Sequence, residues 1–160
     1  MIDGEFRVVL QQLADYRFEV RFDNPLIAPL ITDETAPLGG DAGPNPSRLL
    51  GTAVANCLAA SLLFAMRKFK NAPEPLRAVA AVRLVRNEQK RLRVGRIAVD
   101  LHLGVASGDL AQLDRVLAQF EEFCVVTQSV RAGIDVDVRV LDHDGRVLHV
   151  SAATRAASSG

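Results

Sequence analysis

Asn45-Pro46-Ser47-Arg48-Leu49-Leu50, continuing as GTAVANCLAASLLFAMRKFK to Lys70, is the stretch whose reading decides the fold. Asparagine suits a helix N-cap, because its side-chain oxygen accepts an otherwise orphaned backbone N–H. Proline suits the first helical position, where no N–H is needed. No charge interrupts the run from Leu49 to Met66, and Pro73 and Pro75 forbid continuation beyond about Lys70. The predicted helix is apolar nearly all the way round, which implies burial on most sides. Its uncharged run just reaches the ~18 residues a membrane span needs. Gly51, Thr52, Asn56 and Ser61 dilute it, so the expectation is a buried core helix with no membrane partner.

The segments on either side read as strands. In Tyr16-Arg17-Phe18-Glu19-Val20-Arg21-Phe22 apolar and charged residues alternate, predicting one wet and one buried face. Phe6, Val8 and Leu10 suggest a partner strand turning at Ala14-Asp15. From Asp23 to Pro46 prolines and glycines mark a long connection, with one short strand expected at Leu30-Ile31-Thr32. After the helix, Ala78–Arg86 and Leu92–Leu103 form a predicted hairpin around Asn87–Lys90. Ser107-Gly108-Asp109 starts a second predicted helix, with Leu110, Leu113, Val116, Leu117 and Phe120 at helical spacing and Cys124 at its end. Ile134–Leu141 and Arg146–Val150 make a last hairpin, turning at Asp142-His143-Asp144-Gly145. The order predicts an α+β domain over residues 1–151, with mostly antiparallel sheets and helices on one side, and a frayed tail over 152–160.

Composition narrows the function. Lysine plus arginine and aspartate plus glutamate each count 19, so the net charge is zero and nothing draws the whole chain to phosphate backbones. No nucleic-acid partner is expected. The N-terminus lacks a basic region followed by an apolar run, and two cysteines are too few for a disulfide scaffold, so a reducing cytoplasm is the expected setting. There a cysteine pair is more often redox-active or metal-binding than structural. Cys57, in mid-helix among Leu50, Ala53, Val54, Ser61 and Phe64, reads on its own as a small core residue. Cys124 follows Glu121-Glu122-Phe123, whose charges would raise a thiol pKa. The two are too far apart in sequence for a zinc motif, and no metal is expected.

The glycine- and proline-rich approach Gly39-Gly40-Asp41-Ala42-Gly43-Pro44-Asn45-Pro46-Ser47-Arg48-Leu49-Leu50, running through Ala53 and Asn56 into Cys57, resembles the first cysteine helix of OsmC/Ohr proteins. Glu121-Glu122-Phe123-Cys124-Val125-Val126-Thr127-Gln128-Ser129-Val130 resembles their second cysteine motif. The resemblance implies an OsmC-like fold of mostly antiparallel sheets around the cysteine-bearing helix, assembled as an intertwined homodimer. It also implies a thiol peroxidase that reduces organic hydroperoxides in oxidative-stress defence. Cys57 would be the attacking thiol and Cys124 the resolving one, with an external dithiol as reductant and no cofactor. A thiol of ordinary pKa is mostly protonated at neutral pH, so attack calls for a nearby cation.

At that cation the sequence departs from the family. The family's reactive cysteine is paired with an arginine of the long early loop, itself held by a glutamate near the helix start. The loop from Asp23 to Ser47 contains no arginine or lysine, and Ser47-Arg48 stand at the glutamate's place. Arg48, Arg21 and Arg17 are the remaining candidates to stabilise the thiolate. The alternative is an OsmC-like dimer without catalysis that binds a small hydrophobic molecule at its interface. His102, His143 and His149 read as surface or packing residues, and the basic run Arg86, Lys90, Arg91, Arg93 and Arg96 as a solvated hairpin.

Overall fold

The computed structural model describes residues 4–152, so most of the predicted tail lies outside the described residues. The chain divides into two compact units, Met1–Leu49 and Leu50–Gly160.

In the first unit β1 (Val8–Ala14), β2 (Arg17–Phe22) and β3 (Leu30–Thr32) form an antiparallel sheet in that order. Asp15 makes the predicted hairpin turn with a φ of 46°. The alternation of β2 is half realised: Val20 is buried and Arg17 and Arg21 are exposed, but all of β1 is exposed. Beyond β3 the chain folds back on itself. The Asp33 carboxylate accepts the backbone N–H groups of Glu34 (2.9 Å), Gly40 (3.0 Å) and Ala42 (3.1 Å). These bonds, that of Ala42 foremost, hold Asp33 below the usual carboxylate range against the opposing effect of its burial. A β-carbon on Gly43 would sit 2.1 Å from the Ile31 carbonyl oxygen, so only glycine lets the loop lie this close to β3.

Helix α1 (Pro46–Lys68) begins at the end of the first unit and runs through the second. Its cap is as expected, with Asn45 Oδ1 accepting the Arg48 N–H at 3.0 Å. The expectation of burial on most sides fails. Gly51, Val54, Ala55, Leu58, Leu62, Ala65 and Met66 form one buried stripe, whereas Phe64 on another side is 68% exposed. By length and composition alone α1 passes as a membrane span.

In the second unit β4 (Arg77–Arg86), β5 (Leu92–His102), β6 (Asp135–Leu141) and β7 (Val147–Ser151) form a sheet in sequence order. The β5–β6 pair is parallel and the other two are antiparallel. Its register sets Ile97 against Val136, Val99 against Val138 and Leu101 against Val140, all buried in the core that includes the α1 stripe. The alternate residues form an ion-pair ladder on the other face, Arg139 with Asp100 and Arg96 with Asp137. Period-two patterning thus separates apolar from charged residues across the sheet.

The single second helix predicted from Ser107 is instead broken. Ser107–Asp109 is one 3₁₀ turn, α2 covers Leu113–Gln119, a second 3₁₀ turn covers Phe120–Phe123, and α3 covers Val125–Val130. Leu113, Val116, Leu117 and Phe120 keep the predicted spacing, but Leu110 is extended and lies outside the helix, and the backbone departs again at Gln112, which takes a left-handed conformation, and at Cys124, which is extended. The crossover from β5 to its parallel neighbour β6 runs through these short helices, as a parallel pair requires.

Candidate functional site

Cys57 lies one residue before Leu58 and three after Val54, both fully buried, and is itself half-buried at the edge of the α1 stripe. Cys124 is placed by backbone rather than by a helix face. The 3₁₀ turn closes with its N–H donating to the Glu121 carbonyl at 3.1 Å, and α3 opens with its carbonyl accepting the Gln128 N–H at 3.0 Å. This junction points the thiol into the core, where it is fully buried. The Cys124 thiol donates to Thr127 Oγ1 at 3.0 Å, and Cys57 stands near enough to act on its titration. Both cysteines are free thiols.

Burial pushes the Cys124 thiol above its ordinary pKa, and the neighbouring Cys57 adds to the rise. The Thr127 hydroxyl and backbone N–H, which can donate to the thiolate form, oppose both without cancelling them. Cys124 therefore holds its proton at neutral pH. A thiol in that state is poorly suited to be the one that attacks a peroxide first.

Glu121 does not act on Cys124 as the sequence suggested. Its carboxylate turns to the sheet, accepting from His149 Nε2 at 2.7 Å, from Ser151 Oγ at 2.9 Å and from the Arg131 guanidinium. Burial alone would raise its pKa, but these three partners outweigh burial and bring it down to about 2. His149 also packs edge-on against Phe120, at 5.5 Å between ring centroids. The cluster ties the turn before Cys124 to β6 and β7. Sequence reasoning missed it because acid, arginine and histidine lie on three separate elements and share no spacing. An acidic residue buried beside a cysteine, with a cation at the end of the next helix, was the only available hint.

Each arginine proposed for the thiolate has a partner in the first unit. Arg17 Nε is 3.8 Å from Asp33 Oδ2, Arg21 Nε donates to Glu19 at 2.5 Å, and Arg48 Nη1 donates to Thr35 Oγ1 at 3.1 Å. Along α1, Arg48 stands two and a half turns before Cys57, ~13 Å away. Of the predicted site residues, the fold gathers the two cysteines. Among the described residues no group of three or more histidine, cysteine or acidic side chains is placed to hold a metal.

Comparison with known proteins agrees with this architecture. The family model described as OsmC-like protein matches residues 39–139, more than half of the chain. No curated protein matches it by sequence. Among solved structures, an OsmC-like protein of Vibrio cholerae superposes with a TM-score of 0.73 at 16% identity, covering 87% of this chain and all of its own. The organic hydroperoxide resistance protein OsmC of Legionella pneumophila gives 0.64 at 18% identity, over 86% of this chain and 98% of its own. The organic hydroperoxide resistance protein OhrB of Bacillus subtilis gives 0.63 at 16%, with the same coverage. At these identities the structures share the fold, and the family match carries the assignment: the chain belongs to the OsmC-like protein family.

Proposed function

We propose that the protein is a thiol-dependent peroxidase that reduces organic hydroperoxides through Cys57 and Cys124. The observation that carries the reading is the free thiol of Cys124, buried and beside Cys57. The Cys57 thiolate attacks the terminal peroxide oxygen and the O–O bond breaks. Cys57 becomes a sulfenic acid, and the alkoxide takes a proton and leaves as the alcohol. Cys124 then attacks the sulfenic sulfur, releasing water and closing a disulfide. An external dithiol reduces that disulfide and is itself oxidised to one. A protonated Cys124 fits the resolving role, since it must not compete for the peroxide.

The working form in this reading is a cytoplasmic homodimer. Exposed apolar side chains support a partner copy: Phe6 (78%), Val9 (59%) and Leu10 (57%) near the N-terminus, and Phe64 on α1. The test is rapid mixing of reduced protein with one equivalent of cumene hydroperoxide, counting free thiols and cumyl alcohol. Loss of two thiols per chain with one alcohol formed is expected; no loss of thiol overturns the proposal.

One observation favours a second reading, a dimer of this family without catalysis that holds a small hydrophobic molecule. Asp23–Ser47 supplies no cation, and Arg17 and Arg21 are already paired with carboxylates. A ligand retained in native mass spectrometry, together with peroxide-inert thiols, would select it.

A further inference from the structure

The basic run singled out in the sequence has no part in the thiol chemistry, and its surroundings are built in a way the sequence did not reveal. In the second unit the tip of the β4–β5 hairpin overhangs a cleft of about 800 Å³. Leu50, Val85, Val94 and Ile134 give it apolar walls, and Arg86 and Arg93 stand on the strands at its edge. Gly95 deepens it: a β-carbon there would meet Val85 Cγ2 at 2.5 Å.

The two arginines differ from others on this sheet. Arg96 and Arg139 are paired with Asp137 and Asp100, whereas Arg86 donates to the Lys90 carbonyl at 2.7 Å and Arg93 to the Leu92 carbonyl at 2.7 Å. Among the described residues neither is paired with a carboxylate. A backbone carbonyl occupies one N–H of a guanidinium that has five, so donors remain for an anion. The single acidic residue of the lining, Glu88, leaves the cleft a net charge of one positive. That sum suits a monoanion and disfavours a second negative charge. No aromatic residue lines the cleft, so it offers no stacking platform for a nucleobase. Its volume falls in the range of small-molecule sites, with apolar walls and a few polar groups to fix orientation.

We propose that this cleft binds an amphipathic monoanion, an aliphatic carboxylate whose hydrocarbon lies along Leu50, Val85, Val94 and Ile134 while Arg86 and Arg93 hold its charged end. Neither cysteine lines the cleft, so the inference stands apart from the thiol reading and is testable on protein whose thiols are blocked.

The experiment is titration of the ¹⁵N-labelled full chain, thiols alkylated, with octanoate, and in parallel with octan-1-ol, with acetate and with anionic phospholipid vesicles. Octanoate is expected to shift the amides of Arg93, Val94, Gly95, Gly133 and Ile134 saturably. It should bind at least tenfold more tightly than octan-1-ol or acetate. The double variant Arg86→Gln/Arg93→Gln changes exposed side chains and should keep the fold. In it octanoate should weaken by tenfold or more, while octan-1-ol stays as it was. Shifts from the vesicles and none from octanoate would replace the small anion by a lipid surface and overturn the proposal. Equal binding of octanoate to the variant, or shifts confined to other regions, would overturn it as well.

Discussion

At the residue scale the two cysteines differ in their surroundings, and the proposed chemistry gives them different tasks. Cys124 is sealed in the core with Thr127 and Cys57 as its partners, while Cys57 is half-buried on a helix. Under the proposed chemistry Cys57→Ser abolishes peroxide-dependent oxidation. Cys124→Ser retains the first step and accumulates sulfenic acid, which dimedone labelling and intact-mass measurement will register. Thr127→Val removes the larger of the two interactions that lower the Cys124 pKa, the side-chain bond, and keeps the backbone one and nearly all the buried volume. It should cost about 1 kcal/mol of stability. It should also move the pH profile of disulfide closure to higher pH, leaving the rate of sulfenic-acid formation unchanged. Quenched-flow thiol counts across pH separate the two steps, and an unchanged closure profile would refute the role given to Thr127.

At the scale of elements, helix α1 tests how its packing is specified. Gly51 lies inside the helix, where alanine would normally stabilise by about 1 kcal/mol. Here a β-carbon would come within 2.5 Å of Val82 Cγ2 on β4, a branched side chain with little freedom to move. Overpacking of that kind costs about 1–3 kcal/mol, so Gly51→Ala should lower the urea midpoint rather than raise it. Combining it with Val82→Ala should recover part of the loss, and a simple sum of the two single effects would contradict the packing account. The same element marks where the sequence could and could not be read. Asn45-Pro46 and Pro73 identified the helix and its ends because capping is local chemistry. Which side of α1 would be buried was illegible, since an alanine-rich helix with apolar residues all round carries no directional pattern. The break at Cys124 was illegible for a related reason: Leu113, Val116, Leu117 and Phe120 keep helical spacing into a 3₁₀ turn, and the extended backbone at Cys124 leaves no mark in that spacing.

For the whole molecule, sequence periodicity gave the order of strands and the alternation of β5 and β6, whereas the pairing of β5 with β6 in parallel is a tertiary outcome that no local pattern encodes. Long-range electrostatics was equally hidden. The Glu121 carboxylate joins the turn before Cys124 to Arg131, His149 and Ser151, contacts that only the folded chain brings about. Its folded pKa of about 2 lies below its value in the unfolded chain near 4.3. The stabilisation is thus complete above about pH 4.3 and is lost as pH falls toward 2, by at most ~3 kcal/mol. Urea unfolding between pH 6 and pH 2.5 should show this loss in the native protein. Glu121→Gln should be less stable at pH 6, because it leaves Arg131 without its carboxylate, and should show a smaller fall with acid. Parallel pH curves for the two proteins would contradict the assignment.

The account depends most on two thiols, remote in sequence, meeting inside one folded chain. Treating the native, reduced protein with one equivalent of diamide and mapping its peptides without reduction tests this directly, whatever the protein's activity toward peroxides. The predicted result is a single linked species joining the peptide that holds Cys57 to the peptide that holds Cys124, at the mass of one chain under denaturing conditions. Recovery of both cysteines as free thiols, or of disulfides only between separate chains, would contradict it.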